Sequence, residues 1–438
     1  MNILNKCRMA DAALPSILLL VACGGSGGDG MDRPATPSEP PPVTLSATSN
    51  NVVAYWTDIG AATINAASTV STTPEEARPT FQTDLATMHA AIYDAVNAID
   101  GRYKPLIVTP KSPTTGASME AAASAAAYGV LLALFPNRGA QYQTAYDNQI
   151  ATIPAGDARN KGLALGAEVA AAIIANRAND GRAVALAPYV PGTAPGKFRG
   201  TNPVNRFGPY IKPFTLTSLS QFRSPPPPAL DSAAYATDLN EVKALGGTVS
   251  ATRTAEQLEV ARFHTEAPPN FLTRNLGRFA RTTDSIPEAA RLMAVIYVGF
   301  SDALNACFEA KYFYEAWRPL SAIPLADTDN NAATSPDTTW TPVLPTPNHP
   351  EYPAAHACTA GTLGELLRRY YGTKSVTYTL NSLVTNTTRT YTSTDALADE
   401  VTMARITGGM HFRYATVAGA ELGRQSAAWT LQNNFTAR

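Results

Sequence analysis

At 438 residues the chain is long enough to bury a large core in one domain or two. Its 34 basic and 35 acidic residues nearly cancel, which argues against a nucleic-acid-binding surface. With 45% hydrophobic and 16% charged residues the composition is ordinary for a globular protein, and 34 prolines call for long irregular connections.

The N-terminus has the features of a targeting segment: Lys6 and Arg8 precede an apolar stretch at 13–22 that ends in Leu20-Val21-Ala22-Cys23. Those four residues resemble a bacterial lipobox. The resemblance implies a lipoprotein signal peptide at 1–23, lipidation of Cys23 and export to the periplasmic or cell-surface face of a membrane, with an ordinary signal peptide or a buried helix as the alternative. The stretch 24–48 is Gly-rich and then Pro-rich and reads as a tether, leaving 49–438 as a single domain. No apolar run past the first thirty residues looks long enough to span a bilayer.

Apolar periodicity and alanine-rich runs predict helices at 82–99, 118–135, 139–151, 157–179, 254–266, 286–310, 356–372, 395–407 and 412–432. The expected fold class is therefore all-α, a large helical bundle with long Pro-rich loops and at most a small β-hairpin near 375–393. The Pro/Gly-rich segment at 184–230 is too long for an idle connection and is expected to wrap over the helices beside the site entrance. Outside the leader only Cys307 and Cys358 remain, either as a disulfide, which export permits, or as two buried thiols.

Three short segments carry the chemistry. Lys311 and Arg318-Pro319 lie seven residues apart, two helical turns, so both cations are expected on one face of a helix spanning 286–313 that Pro319 ends. Pro353-Ala354-Ala355-His356 opens another helix, whose first amides have no intrahelical acceptor and suit an anion. In Ala404-Arg405-Ile406-Thr407-Gly408-Gly409-Met410-His411 the paired glycines let the chain turn between two helices and bring Arg405 and His411 to one point. Three cations of fixed geometry suit a tetrahedral oxyanion, and two histidines beside it supply a ligand or nucleophile and a proton carrier. His349 with His356 lacks the further ligands a zinc site needs. His89 reads as a hydrogen-bonded core residue, His264 as a pocket-entrance or exposed-loop residue, and Phe308 as a pocket-wall aromatic.

Together the three segments resemble the signature of the vanadium-dependent haloperoxidase and type 2 acid phosphatase superfamily, Lys-x6-Arg-Pro, Pro-Ser-Gly-His and Ser-Arg-x5-His-x3-Asp. The intervals, 33 residues between the first two motifs and 47 between the last two, fit that pattern. Met88 to Ala98 and Ser301-Asp302-Ala303 look like exported bacterial members of the haloperoxidase-like branch. The resemblance implies vanadate on His411, its oxygens held by Lys311, Arg318, Arg405 and the Ala355 amide, with His356 as acid-base and Lys311 polarising bound peroxide. Hydrogen peroxide and halide would be the substrates. The alternative is a phosphatase without cofactor, cleaving a phosphate ester through a phosphohistidine at His411. A second alternative is a lipoprotein that binds an oxyanion with turnover impaired. Helical members of this branch often form homodimers. Ala354, Ala355, Ala404 and Ala415 depart from the pattern, and the last removes a carboxylate expected to orient His411, with Asp302 as a substitute partner for a cation of the site.

Overall fold

The computed structural model describes residues 40–70 and 80–438; the leader, Cys23 and the tether up to residue 39 lie outside them. In chain order the helices are α1 (Val52–Val70), α2 (Phe81–Asp100), α3 (Met119–Leu134), α4 (Gly139–Ala151), α5 (Asp157–Arg177), α6 (Ala233–Leu245), α7 (Ala255–Phe263), α8 (Pro268–Gly277), α9 (Ile286–Tyr314), α10 (Pro319–Ala322), α11 (Ala355–Tyr371), α12 (Ala396–Thr407) and α13 (Arg413–Asn433). Periodicity had passed over α1, α6, α8 and the single turn α10. Their starts are nonetheless written locally: Asn51 accepts from Ala54 N at 2.9 Å, Ser232 from Tyr235 N at 3.2 Å, and α8 opens on Pro268. The expected hairpin is β2 (Val376–Ser382) and β3 (Thr387–Tyr391), antiparallel, and β1 (Val43–Thr44) pairs parallel with β2. Val43 and Thr44 fall in the stretch assigned to the tether, so ordered structure begins ahead of residue 49.

Helix α9 begins with Ser285 accepting from Glu288 N and carries a proline in its first turn. It is long and apolar enough to cross a membrane, contrary to the expectation that nothing past the leader is. Here that apolarity serves the core: from Leu292 to Phe308 every residue is buried, and the helix packs on α2, α11 and α13. At its far end the chain reverses at Glu315, which takes the left-handed conformation (φ 51°) and donates its N–H to Lys311 O at 2.9 Å.

That reversal corrects the expected placement of the first motif. Lys311 is in the last turn of α9, whereas Arg318 lies beyond it, capping α10, so the two share no helix face. They converge because both donate to one segment, His349 to Glu351, rather than because seven residues make two turns.

Helices α11 and α13 are in backbone contact. A Cβ added at Gly361 would fall 2.2 Å from Ala420 O, and Ala354 N donates to Ala415 O at 2.9 Å. This places His356, in the first turn of α11, close to the turn before α13 that holds His411. Cys307 and Cys358 form a disulfide between α9 and α11, one turn before Lys311 and two residues past His356. Asp302 does not partner a cation of the oxyanion cradle. It accepts Phe214 N (2.7 Å), Thr215 N (2.6 Å), Thr215 Oγ1 (2.7 Å) and Leu216 N (3.2 Å), and so holds the Pro-rich segment onto α9. His89 is buried and stacked on Tyr297 with ring centroids 4.7 Å apart, but neither ring nitrogen has a partner, contrary to the expected hydrogen bonds.

Candidate active site

The last motif turns as its glycines require. Gly409 has φ 77°, and Met410 N donates to Arg405 O at 3.0 Å, which seats His411 in the connection between α12 and α13. His411 is fully buried. Its Nδ1 lies 3.0 Å from Glu351 Oε1 and its Nε2 lies 2.8 Å from Arg318 NH1. A guanidinium can only donate, so Nε2 is the acceptor, the ring proton is on Nδ1, and that proton goes to Glu351. Glu351 Oε1 also accepts Phe412 N at 3.0 Å. The carboxylate absent at Ala415 is therefore supplied from residue 351, ahead of the second motif.

Arg318 is held at every nitrogen: Nε donates to His349 O (2.8 Å), NH1 to Met410 O (2.8 Å) and His411 Nε2, and NH2 to His349 Nδ1 (2.9 Å). Lys311 Nζ donates to Pro350 O (2.8 Å) and Glu351 O (3.0 Å). Arg405, 1% exposed, is different. Only NH1 finds an acceptor, His264 O at 3.3 Å, while Nε and NH2 are buried without partners.

Three buried cations thus face one carboxylate. Burial, and then the charge of Arg318, holds the Lys311 ammonium well below its usual range; burial lowers Arg318 to about 10, and burial with the Arg318 charge lowers Arg405 to about 9. Burial raises Glu351 to about 7 against the pull of Arg318 and Lys311. His411 and His356 are pushed down by burial first and by the neighbouring cations next. The cluster is short of negative charge.

A pocket with about 110 Å³ open to water-sized molecules reaches His349, Ala355 and His356 at the margin of this cluster, while Lys311, Arg318, Arg405, Glu351 and His411 lie behind its wall. His349, Ala355 and His356 lie along one part of its wall, Phe308 and Leu304 of α9 on another, and His264, Phe271 and Leu276 on a third. Asn205 of the Pro-rich segment reaches it too, as the sequence suggested for that segment. His264 is buried rather than in an exposed loop, and Phe308 packs edge-on against His349 at 5.2 Å between ring centroids.

All five charged or imidazole residues of the three motifs are brought to this one region, with the Ala355 amide in the first turn of α11. Sequence reasoning missed Glu351, Arg318's use of His349, and the bond of His264 O to Arg405, although it offered His264 as a residue of the pocket entrance. The signal for Glu351 was a carboxylate two residues before Pro353, but its contact with His411 spans 60 positions of sequence.

Residues 291–436 match a family described as the VCPO second helical-bundle domain. No curated protein sequence matches the chain. Among solved structures, the first bacterial vanadium-dependent iodoperoxidase superposes with a TM-score of 0.73 at 22% identity, over 88% of this chain and 98% of that one. The apo- and holo-type structures of a bacterial vanadium-dependent chloroperoxidase superpose with a TM-score of 0.65 each, at 16% and 14% identity, over 89% of this chain and 98% of theirs. The chain has the vanadium-haloperoxidase fold.

On that fold the residues present suit vanadate. A lone pair on His411 Nε2 can bind the metal centre, and the unpaired donors of Arg405 call for an acceptor. The first amides of α11 lack intrahelical acceptors, and the excess of positive charge calls for an anion. The hydroxyls missing from the signature are those at residues 354 and 404, both alanine here.

Proposed function

We propose that the chain is a vanadate-dependent haloperoxidase that oxidises halide with hydrogen peroxide. The observation that carries this reading is the buried His411, its Nδ1 fixed by Glu351 so that Nε2 presents a lone pair amid three cations. His411 would hold the vanadium. Lys311, Arg318, Arg405 and the Ala355 amide would neutralise the oxygens, Arg318 exchanging its bond to Nε2 for one to the ligand. Bound vanadate supplies Lewis-acid activation of peroxide without change of its own oxidation state. His356 lines the pocket and is held neutral by burial and by Arg405, so it could take a proton from incoming peroxide and return it to the leaving oxygen. Lys311, depressed by burial and by the Arg318 charge, would be kept cationic by an anion beside it and would donate to the oxygens held there.

We further propose that 1–23 is a lipoprotein signal peptide, that Cys23 carries the anchor and that the domain expected at 49–438, extended to take in β1, forms one catalytic unit. The test uses the chain from residue 40 onward, freed of metal. Bromination of a dione with peroxide and bromide should require orthovanadate and be lost in His411→Ala. The same lone pair suits attack on phosphorus, so p-nitrophenyl phosphate is assayed beside it. Phosphate release without bromination would overturn the haloperoxidase reading.

A further inference from the structure

The oxyanion cradle is closed to solvent. Lys311, Arg318, Glu351, Arg405 and His411 are each at most 2% exposed, and the pocket reaches only their margin at His349, Ala355 and His356. A tetrahedral oxyanion with several charged oxygens therefore reaches the cations only when a segment that covers them moves.

One cover is the segment His349 to Glu351, which lies directly on two of the three cations. His349 O accepts Arg318 Nε, and the carbonyls of Pro350 and Glu351 accept Lys311 Nζ. Asn348, the exposed residue just before it, carries a second cover. Its Nδ2 donates to Thr201 O (2.8 Å) and Asn202 O (3.1 Å), and its carbonyl accepts Val204 N (2.9 Å). The Pro-rich segment is thereby strapped across the roof of the cradle, and Asn205 of the strap reaches the pocket.

The strap is fastened firmly at its ends and lightly between them. At one end Lys197 pairs with Ala316 in an antiparallel bridge, and Phe198 N donates to Glu315 O at 2.7 Å. At the other, Gly208 is pressed on α9, where an added Cβ would fall 2.6 Å from Phe308 Cβ, and Asp302 holds residues 214–216. Among the described residues, the hydrogen bonds of 199–207 to partners outside the Pro-rich segment go to Asn348 and to the Tyr312 hydroxyl, which donates to Val204 O. Asn202 and Asn205 take left-handed backbone, φ 48° and 59°, on either side of Pro203-Val204. Glycine aside, asparagine crosses between left-handed and ordinary backbone at low cost, so these two positions suit hinges.

We propose that residues 199–207 form a lid over the oxyanion cradle with Asn348 as its latch. When the latch releases, the strap and the segment 348–351 lift, and a tetrahedral oxyanion enters or leaves. The side chain of Asn348 directs its hydrogen bonds to the strap and none to the cations or His411, so it sets the rate of exchange and leaves the affinity of the closed site alone. Loosening a latch that is closed most of the time raises the open fraction, which multiplies entry and exit alike. The inference rests on the cradle's taking an oxyanion and on no step of halide oxidation.

Timed filtration of vanadate-free protein mixed with orthovanadate, and in parallel with inorganic phosphate, measures uptake and release. Asn348→Ala removes two exposed hydrogen bonds and should speed both about tenfold while Kd stays within about twofold of the parent. Tyr312→Phe removes the other tie and should act in the same direction. The double variant Val204→Cys, Asn348→Cys joins two positions whose backbones already meet at 2.9 Å. Once oxidised, with the new bond confirmed by thiol titration, it should exchange vanadate about tenfold or more slowly than the parent. Reduction, followed by removal of the reductant, should restore fast exchange; thermal unfolding checks that each variant folds. Unchanged rates in Asn348→Ala, a weaker Kd with parental uptake, undiminished exchange in the oxidised double variant, or a parent that takes up neither anion overturns the lid. If exchange follows the latch but vanadate-loaded protein brominates no dione, the haloperoxidase reading falls and the lid stands.

Discussion

Glu351 and His411 are 60 positions apart in sequence and 3.0 Å apart in the fold, joined by one hydrogen bond that fixes which imidazole nitrogen carries the proton. The same carboxylate oxygen holds Phe412 N, so the ring and its backbone are oriented together. Glu351→Gln leaves an acceptor but removes the charge that favours Nδ1–H. Vanadate affinity, followed by the rise in thermal stability on titration with orthovanadate, should fall about tenfold to a hundredfold, the range for losing the partner of a metal-bound histidine. Glu351→Ala leaves two buried donors unpaired and should also cost about 2 kcal/mol of stability without ligand. An affinity unchanged in both variants would remove Glu351 from the site.

Arg405 makes the opposite case. It is buried with Nε and NH2 unpaired and is pushed down by burial and by Arg318, so without an anion it destabilises the fold. Arg405→Met should raise the unfolding free energy of vanadate-free protein by about 1–3 kcal/mol, as replacement of imperfectly paired buried charge often does. The variant should also lose the stabilisation that vanadate gives the parent, about 2.7 kcal/mol at a hundred times Kd. Denaturant unfolding with and without vanadate reads both. A variant less stable than the parent in the absence of ligand would show that the bond to His264 O outweighs the unpaired nitrogens.

How much of this was legible beforehand depends on the range of the interaction. Most long helices announce themselves through local periodicity, and the five charged or imidazole residues of the three motifs fall at one site because the motif intervals match a known signature. Helix α1 was missed because VVAYWTDIGAATINAASTV opens on β-branched residues and carries several more, which lowers its helix propensity, and its start depends on the single cap Asn51. Arg318 was put on the wrong element because a left-handed residue at Glu315, with no glycine to mark it, reverses the chain inside the motif. Asp302 was assigned to a cation by proximity in sequence, whereas four donors of the segment 214–216, nearly ninety positions away, claim it. Glu351 and His264 act through contacts spanning 60 and 141 positions, and no local pattern encodes those.

The disulfide ties the helix of Lys311 to the helix of His356, closing a loop of sequence separation 51. Loop-closure entropy for that length gives about 4 kcal/mol. The double variant Cys307→Ala, Cys358→Ala should unfold at correspondingly lower denaturant. It should also show weaker vanadate binding, since two walls of the cradle lose their covalent tie. A double variant with parental stability would mean that the packing of α9 on α11 already fixes the spacing.

His89 sets an acid limit. Burial lowers its pKa to about 3, and neither ring nitrogen has a partner to offset the charge that protonation would place there. A histidine depressed in the folded state contributes stability that is present above the unfolded pKa near 6.5 and is lost as pH falls toward 3. By pH 4.5 that loss is roughly 3 kcal/mol. His89→Phe keeps a ring against Tyr297 and removes the titration. Between pH 7 and 4.5 its unfolding free energy should fall by about 3 kcal/mol less than the parent's; parallel pH curves would assign the acid sensitivity elsewhere.

Ala354 caps α11 with extended backbone (φ −75°, ψ 118°) but has no side chain to bond the first-turn amides. Ala354→Ser restores the hydroxyl missing from the oxyanion motif and supplies an N-cap acceptor at once. In vanadate-free protein the cap should stabilise the fold by about 1 kcal/mol. With vanadate the same oxygen can instead donate its proton to the oxyanion, so affinity should rise, by less than the tenfold a fresh hydrogen bond can give because the cap is surrendered. Unfolding curves with and without orthovanadate separate the two effects. Ala354 is fully buried beside Gly419, so a loss of stability in both conditions would show that the close contact of α11 with α13 leaves no room for the oxygen.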